Sequence, residues 1–355
     1  MKLFLIAALS ILFSITGFGQ QTPADSAFTN KAEAKNKLKH GLKEGRWIEY
    51  LDKNEHVTID TNSASFYRLT TYKGGAPSGI VREYTRKGRL WSETPYSGGK
   101  KNGVERRYSA KRNLYMEIPY TDGNENGVAK LYYENGTLHE EVPCIRGKKS
   151  GMEKFYYQSG KLEEEIPYTD GKKNGMDKEY YENGKLEGEC PYTDGKKNGM
   201  DKLFSESGKL TGEALYRDDK KNGVEKLYYA NDTLDLLIPY TEGKKNGMEK
   251  EYYESGALKS ETLYKEGKIN SVEKEYYESG TLKSETPYTN GKINGVKKTW
   301  YEDKKIMSET PYRNDVINGT DKEYYTNGKL LSETVYTNGK AGVTKNYDEN
   351  GNEIK

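Results

Sequence analysis

The chain has 355 residues, with 57 Lys and Arg against 55 Asp and Glu, and this net charge of +2 excludes a strongly basic nucleic-acid binder and a polybasic membrane anchor. Leu, Ile, Val and Phe together supply 59 residues, too few for one large oily core, so a big globular enzyme is not expected. Tyrosine, present 32 times, supplies the missing apolar area, because its ring packs while its hydroxyl stays wet or hydrogen-bonded.

Lys2 opens a segment in which Leu3 to Ile15 are almost all apolar, and Gly17 and Gly19 place small residues at the −3 and −1 positions of a cut before Gln20. Residues 1–19 therefore read as a cleaved secretory signal, since the apolar run is shorter than the roughly 20 residues that span a bilayer. No cysteine lies near the cut, so a lipid anchor is not expected. The expectation is export through the inner membrane to the periplasm or the medium, with no integral membrane segment after cleavage. Residues 20–40 are polar and lysine-rich, and read as a lead-in or linker.

From residue 41 onward the chain repeats. Tyr72, Tyr96, Tyr120, Tyr168, Tyr192, Tyr216, Tyr240, Tyr264, Tyr288, Tyr312 and Tyr336 fall on one series of step 24, missed only at Cys144. Leu90 through Leu186 to Leu330 and Tyr84 through Tyr180 to Tyr324 keep the same step. The array divides into a first unit, 41–72, with a turn enlarged around His56 to Ser65, regular units over 73–336, and a truncated unit, 337–355.

Within one unit, Met176 to Tyr192 holds two short runs flanking Asn183-Gly184, a dipeptide suited to a two-residue type I′ hairpin turn. That turn would set Lys178 against Glu189 and Tyr181 against Leu186. The column of Lys178 is basic from Arg82 to Lys322, and the column of Glu189 is acidic from Glu93 to Glu333 except at Leu237, so a ladder of cross-strand charges is expected. Alternation would place Tyr181, Leu186 and Tyr192 on one face, and Met176, Tyr180 and Pro191 on the other with the charged pairs. Thr193 to Gly199 carries further turn signals. The expected fold is all-β: an elongated array of 24-residue β-hairpin repeats forming a twisted single-layer antiparallel meander, on the order of 100 Å long at about 4.8 Å per strand.

Such a ladder offers few places for chemistry. His40, His56 and His139 lack metal-ligand spacing, and polar residues recur in every unit rather than converging, so no catalytic, cofactor or metal residues are expected. Cys144 and Cys190 would stand roughly 19 Å apart across four strand spacings, against the roughly 7 Å that a disulfide tolerates, so two free thiols are expected. The candidate binding surface is the column Tyr133, Tyr157, Tyr181, Tyr229, Tyr253, Tyr277, Tyr301 and Tyr325, which is interrupted by Thr85, Ser109 and Ser205 and hence tolerates polar replacement. Exposed rings there would stack on sugars or grip an extended partner. The competing reading is that they only cover their neighbours.

The phrase NGMEKEYYESGALKSETLYKEGK, Asn246 to Lys268, and its copies resemble the variant MORN repeat from about Gly41 to the end of the chain. That resemblance implies β-hairpin arrays used for binding or scaffolding, in a family whose bacterial members include antitoxins of the YwqK type. The tryptophan common in such units is mostly replaced by Met or Val, as at Met176 and Val224. A weaker similarity is to the Tyr- and Gly-rich cell-wall-binding repeats of Gram-positive surface proteins. The functional expectation is a non-enzymatic exported scaffold, or an antitoxin or immunity-type partner of another protein. The alternative is a module that binds envelope glycan through the tyrosine ladder. Open strand edges would also permit end-to-end self-association.

Overall fold

A computed structural model gives the structure of residues 28–354, and the expected export signal lies outside the described residues. Apart from a single 3-10 turn, Lys31–Glu33, every regular element among them is a β-strand, and the ladders are antiparallel. The strands form meanders in two compact units, residues up to 138 with 144–147, and residues 139–143 with 148 onward.

One repeat of the second unit shows how the sequence builds the hairpin. Gly175–Tyr180 pairs with Leu186–Thr193, which turns back through Asp194-Gly195 into Lys196–Lys197 and then meets Gly199–Phe204 of the following repeat. The type I′ turn lies at Asp194 and Gly195, with φ of 51° and 87°. At Asn183-Gly184, where that turn is expected, Tyr181 N–H donates to Lys185 and Gly184 N–H to Tyr181, and Gly184 alone has positive φ. The loop is therefore the three-residue form closed by a glycine bulge.

That loop shifts the pairing by one residue, so Tyr180, not Tyr181, opposes Leu186. A bulge at Glu187 then restores the expected register, and Lys178 does oppose Glu189. The correction moves Leu186 onto the face that carries Met176, Lys178, Tyr180, Glu189 and Pro191, here called the ladder face. Asp177, Glu179, Gly188, Cys190 and Tyr192 share the opposite face.

In the first unit Phe28 is fully buried against Tyr67, Leu69 and Tyr84, whose tyrosine rings stack 5.1 Å apart. The Asn36 side-chain amide donates to the Ile48 carbonyl and accepts from the Ile48 N–H, and Lys37–Lys39 pairs with Leu42–Leu51. Residues 28–40 thus pack on the first unit where the sequence reads as a linker. The anchor is Phe28, an isolated ring in a polar stretch, and hence a weak signal. The second unit has no deep oily centre: its buried column on the opposite face reads Ile166, Cys190, Ala214, Ile238 and Thr262. Cys144 and Cys190 are both buried, and neither is in a disulfide.

Candidate binding faces

The ladder face is built from charge and tyrosine hydroxyls. Glu165 opposes Lys178 of the next repeat, and Lys202 reaches back to Glu189 at 3.1 Å and Lys226 to Glu213 at 2.9 Å. Tyr180 donates its hydroxyl to Glu165 at 2.9 Å, and the same bond recurs at Tyr156–Glu141, Tyr276–Glu261 and Tyr324–Glu309. Partial burial, together with the accepting Glu165 carboxylate, pushes the Tyr180 phenol up to about 12, so it remains a donor at neutral pH.

The tyrosine column singled out in the sequence links one repeat to the next. Tyr157, Tyr181, Tyr229, Tyr253, Tyr277 and Tyr301 each donate the hydroxyl to a backbone carbonyl of the next repeat, at Tyr180, Phe204, Tyr252, Tyr276, Trp300 and Tyr324, over 2.7–2.8 Å. Tyr325 reaches Tyr347 at 2.9 Å. Tyr133 sits in the same column of the first unit, also half-buried. These bonds clip the hairpin turns that carry a tyrosine to their neighbours.

Beside this framework lies a feature the sequence reading passed over. Met152, Met176, Met200, Val224, Met248, Val272 and Val296 are 36–44% exposed and stacked one per repeat on the ladder face. Each stands directly across from a proline or leucine, Pro167, Pro191, Leu215, Pro239, Leu263, Pro287 and Pro311 in turn. The result is an apolar stripe two side chains wide. Its signal was the 24-residue Met/Val column itself, visible in the sequence as a replacement for tryptophan.

The opposite face carries a second series of pairs. Lys173 bonds Asp177 at 2.7 Å and Lys197 bonds Asp201 at 3.1 Å, while their ammonium groups lie 4.9 Å and 5.2 Å from the ring centres of Tyr192 and Tyr216. Between them the face varies from repeat to repeat. Glu164 stands directly across from Glu179. Partial burial, with the Asp177 carboxylate nearby, pushes Glu164 up to about 7. Among the described residues no three His, Cys, Asp or Glu side chains are grouped to hold a metal ion, and no helix is long and apolar enough to cross a membrane.

Comparison with known proteins agrees with the repeat reading. The family model of the MORN repeat variant matches seven segments, residues 125–143, 149–170, 173–194, 245–266, 270–290, 293–314 and 317–338. No curated protein matches the chain. Solved structures similar to it include TcdB2-TccC3, at 12% identity and a TM-score of 0.17 over 85% of this chain and 19% of that one. Another is the Tc holotoxin pore of Photorhabdus luminescens, at 12% identity and a TM-score of 0.14 over 86% of this chain and 18% of that one. The chain thus spans about a fifth of those structures' length, and superpositions this loose carry no functional argument.

Proposed function

We propose that this array of MORN-variant hairpins is an exported, non-enzymatic scaffold that binds another protein through its apolar stripe. Repeats of this kind imply a binding scaffold, and the stripe of Met176, Met200, Val224 and Met248 is the observation that carries the choice of surface. A row of half-exposed methionines and valines costs solubility unless a partner covers it, and methionine adapts its shape to what lies on it. The Lys–Glu ladder flanks the stripe on one side and supplies a polar rim there. An immunity-type role toward a toxin is one form this binding would take.

The glycan alternative has less support. A tyrosine platform for sugars needs ring faces that stay open, whereas the hydroxyls of Tyr157 through Tyr301 are tied to the next repeat and the rings are half-buried.

The test compares the tagged full chain with a Met176→Glu, Met200→Glu, Met248→Glu triple variant, each expressed with its export segment. Captured material from envelope and medium is identified by protein mass spectrometry and sugar analysis. A stoichiometric protein recovered with the wild type and lost with a folded triple variant supports the stripe. Capture that is unchanged in the variant, or that consists of glycan alone, overturns it.

A further inference from the structure

The column occupied by Glu140 and Glu164 in earlier repeats, and by Leu236 and Ser260 in later ones, is glycine twice in succession, at Gly188 and Gly212. The buried column beside it shrinks at the same place, from Ile166 to Cys190 and Ala214, and recovers at Ile238. The missing side chains leave two hollows on the face opposite the apolar stripe. One, of about 300 Å³, is bounded by Asp177, Glu179, Gly188, Cys190, Tyr192 and Lys197. The other, of about 190 Å³, is bounded by Gly212, Ala214, Tyr216 and Leu227. Asp201 and Leu203 form the wall they share.

The two hollows differ in chemistry. Asp177 is only 6% exposed; its Oδ2 accepts from Lys173, but its Oδ1 is sealed from solvent without a hydrogen-bond partner. Leaving a buried carboxylate oxygen unpaired is costly; the Glu164 carboxyl beside Asp177 can serve it only while protonated, so with Glu164 ionised the hollow is short of one donor. Glu179 adds a second negative group, directly across from Glu164. Lys197 also lines this hollow, but its ammonium is taken up by Asp201. In the other hollow the carboxylates of Glu213 and Glu225 are paired with Lys226 and Lys221, and Leu203, Ala214 and Leu227 supply apolar surface. One hollow suits a cation and the next an apolar side chain.

Their spacing selects the backbone that would present both. Equivalent points in consecutive repeats are two strands apart, roughly 9.6 Å. A polyproline II helix has three residues per turn and a rise near 3.1 Å, so it returns a side chain to the same side after roughly 9.3 Å. A β-strand sends side chains three apart to opposite faces and does not fit. The aromatic rings of Tyr192 and Tyr216, one per hollow, resemble the lining that proline-rich segments favour.

We propose that these hollows are adjacent subsites for a polyproline II segment of a partner protein, the Asp177 hollow taking a lysine or arginine and the Gly212 hollow an apolar side chain three residues away. The site uses the opposite face and stands independently of the apolar stripe.

Fluorescein-labelled peptides with the cores Lys-Pro-Pro-Leu and Leu-Pro-Pro-Lys, covering both chain directions, are titrated with the full chain by fluorescence anisotropy. At least one should bind, and replacing its lysine by glutamate should weaken it by about tenfold or more. Gly188→Leu fills the first hollow with the side chain that Leu236 already carries in this column, at a backbone angle outside the left-handed region. It should remove binding while leaving the urea midpoint near that of the wild type. Gly212→Leu does the same for the second hollow and serves if the first variant folds poorly. The methionine triple variant should bind the peptide as the wild type does. Absence of binding by both lysine peptides at about 1 mM, or binding indifferent to the glutamate swap or to the filled hollows, overturns the proposal.

Discussion

Gly199 passes beneath Pro191 so closely that a Cβ built on it would lie 2.5 Å from the proline Cγ. Its φ of 131° is one that side-chain-bearing residues avoid, and the same pairing recurs at Gly175–Pro167, Gly247–Pro239 and Gly295–Pro287. The approach lets Asn198 N–H donate to the Pro191 carbonyl at 2.8 Å, which closes the bulge leading into the next strand. Gly199→Ala should therefore cost about 2 kcal/mol, read as a lower urea midpoint; an unchanged midpoint would refute the steric account.

The chain contains the converse experiment. At Ser271 the column glycine is replaced, the ladder begins one residue later at Val272, and Ser271 Oγ donates to Leu263 at 3.2 Å. Among the described residues, the Asn270 amide makes no counterpart of the Asn246–Pro239 and Asn294–Pro287 bonds. Ser271→Gly should restore that bond and raise stability by about 1 kcal/mol. A drop in the urea midpoint would show that the bulge at this repeat is set by something other than the glycine.

How much of this was legible in the sequence follows from the way Lys178 and Glu189 meet. The period and the charge columns were readable, because every repeat restates them. The turn was not, because the three-residue loop at Glu182–Gly184 and the bulge at Glu187 each shift the pairing by one and cancel. Charge matching beyond Glu187 cannot detect such a pair, yet Leu186 changes face between them. The binding surfaces depended on the same detail. Gly188 and Gly212 open a hollow only because Leu203 stands opposite Gly188 and Cys190 shares its face, relations fixed by register. The tyrosine column was found by its spacing, but its inter-repeat hydroxyl bonds need the next repeat's backbone in place.

Those bonds give a direct test of what the column does. Tyr253 donates to the Tyr276 carbonyl at 2.8 Å and Tyr277 to that of Trp300 at 2.7 Å. Tyr253→Phe keeps the ring and removes one link between repeats, so it should cost about 1 kcal/mol, and adding Tyr277→Phe should cost about as much again. Urea unfolding of the two single variants and the double variant measures this. Unchanged stability in all three would assign the hydroxyls to an outside ligand instead of to the neighbouring repeat.

The pair Glu164 and Glu179 sets a pH dependence whose sign can be worked out. Partial burial, followed by the nearby Asp177 carboxylate, lifts Glu164 from its ordinary 4.5 to about 7 in the folded chain. Between those values the folded protein holds a proton that the unfolded chain has released, so raising the pH favours unfolding. The stability this group contributes is fully present below about 4.5 and is lost as the pH rises through about 7. Glu164→Gln keeps the hydrogen-bonding shape and removes the titration. The urea midpoint of the wild type should therefore fall relative to that of Glu164→Gln between pH 5 and pH 8, the range that brackets the shifted value. The side chain is partly open to water, and solvent screening keeps the gap small, so it is read as a difference between the two proteins. A difference that stays flat across this range, or that opens in the other direction, would mean that Glu164 is already ionised beside Glu179, with lysines such as Lys173 compensating both charges.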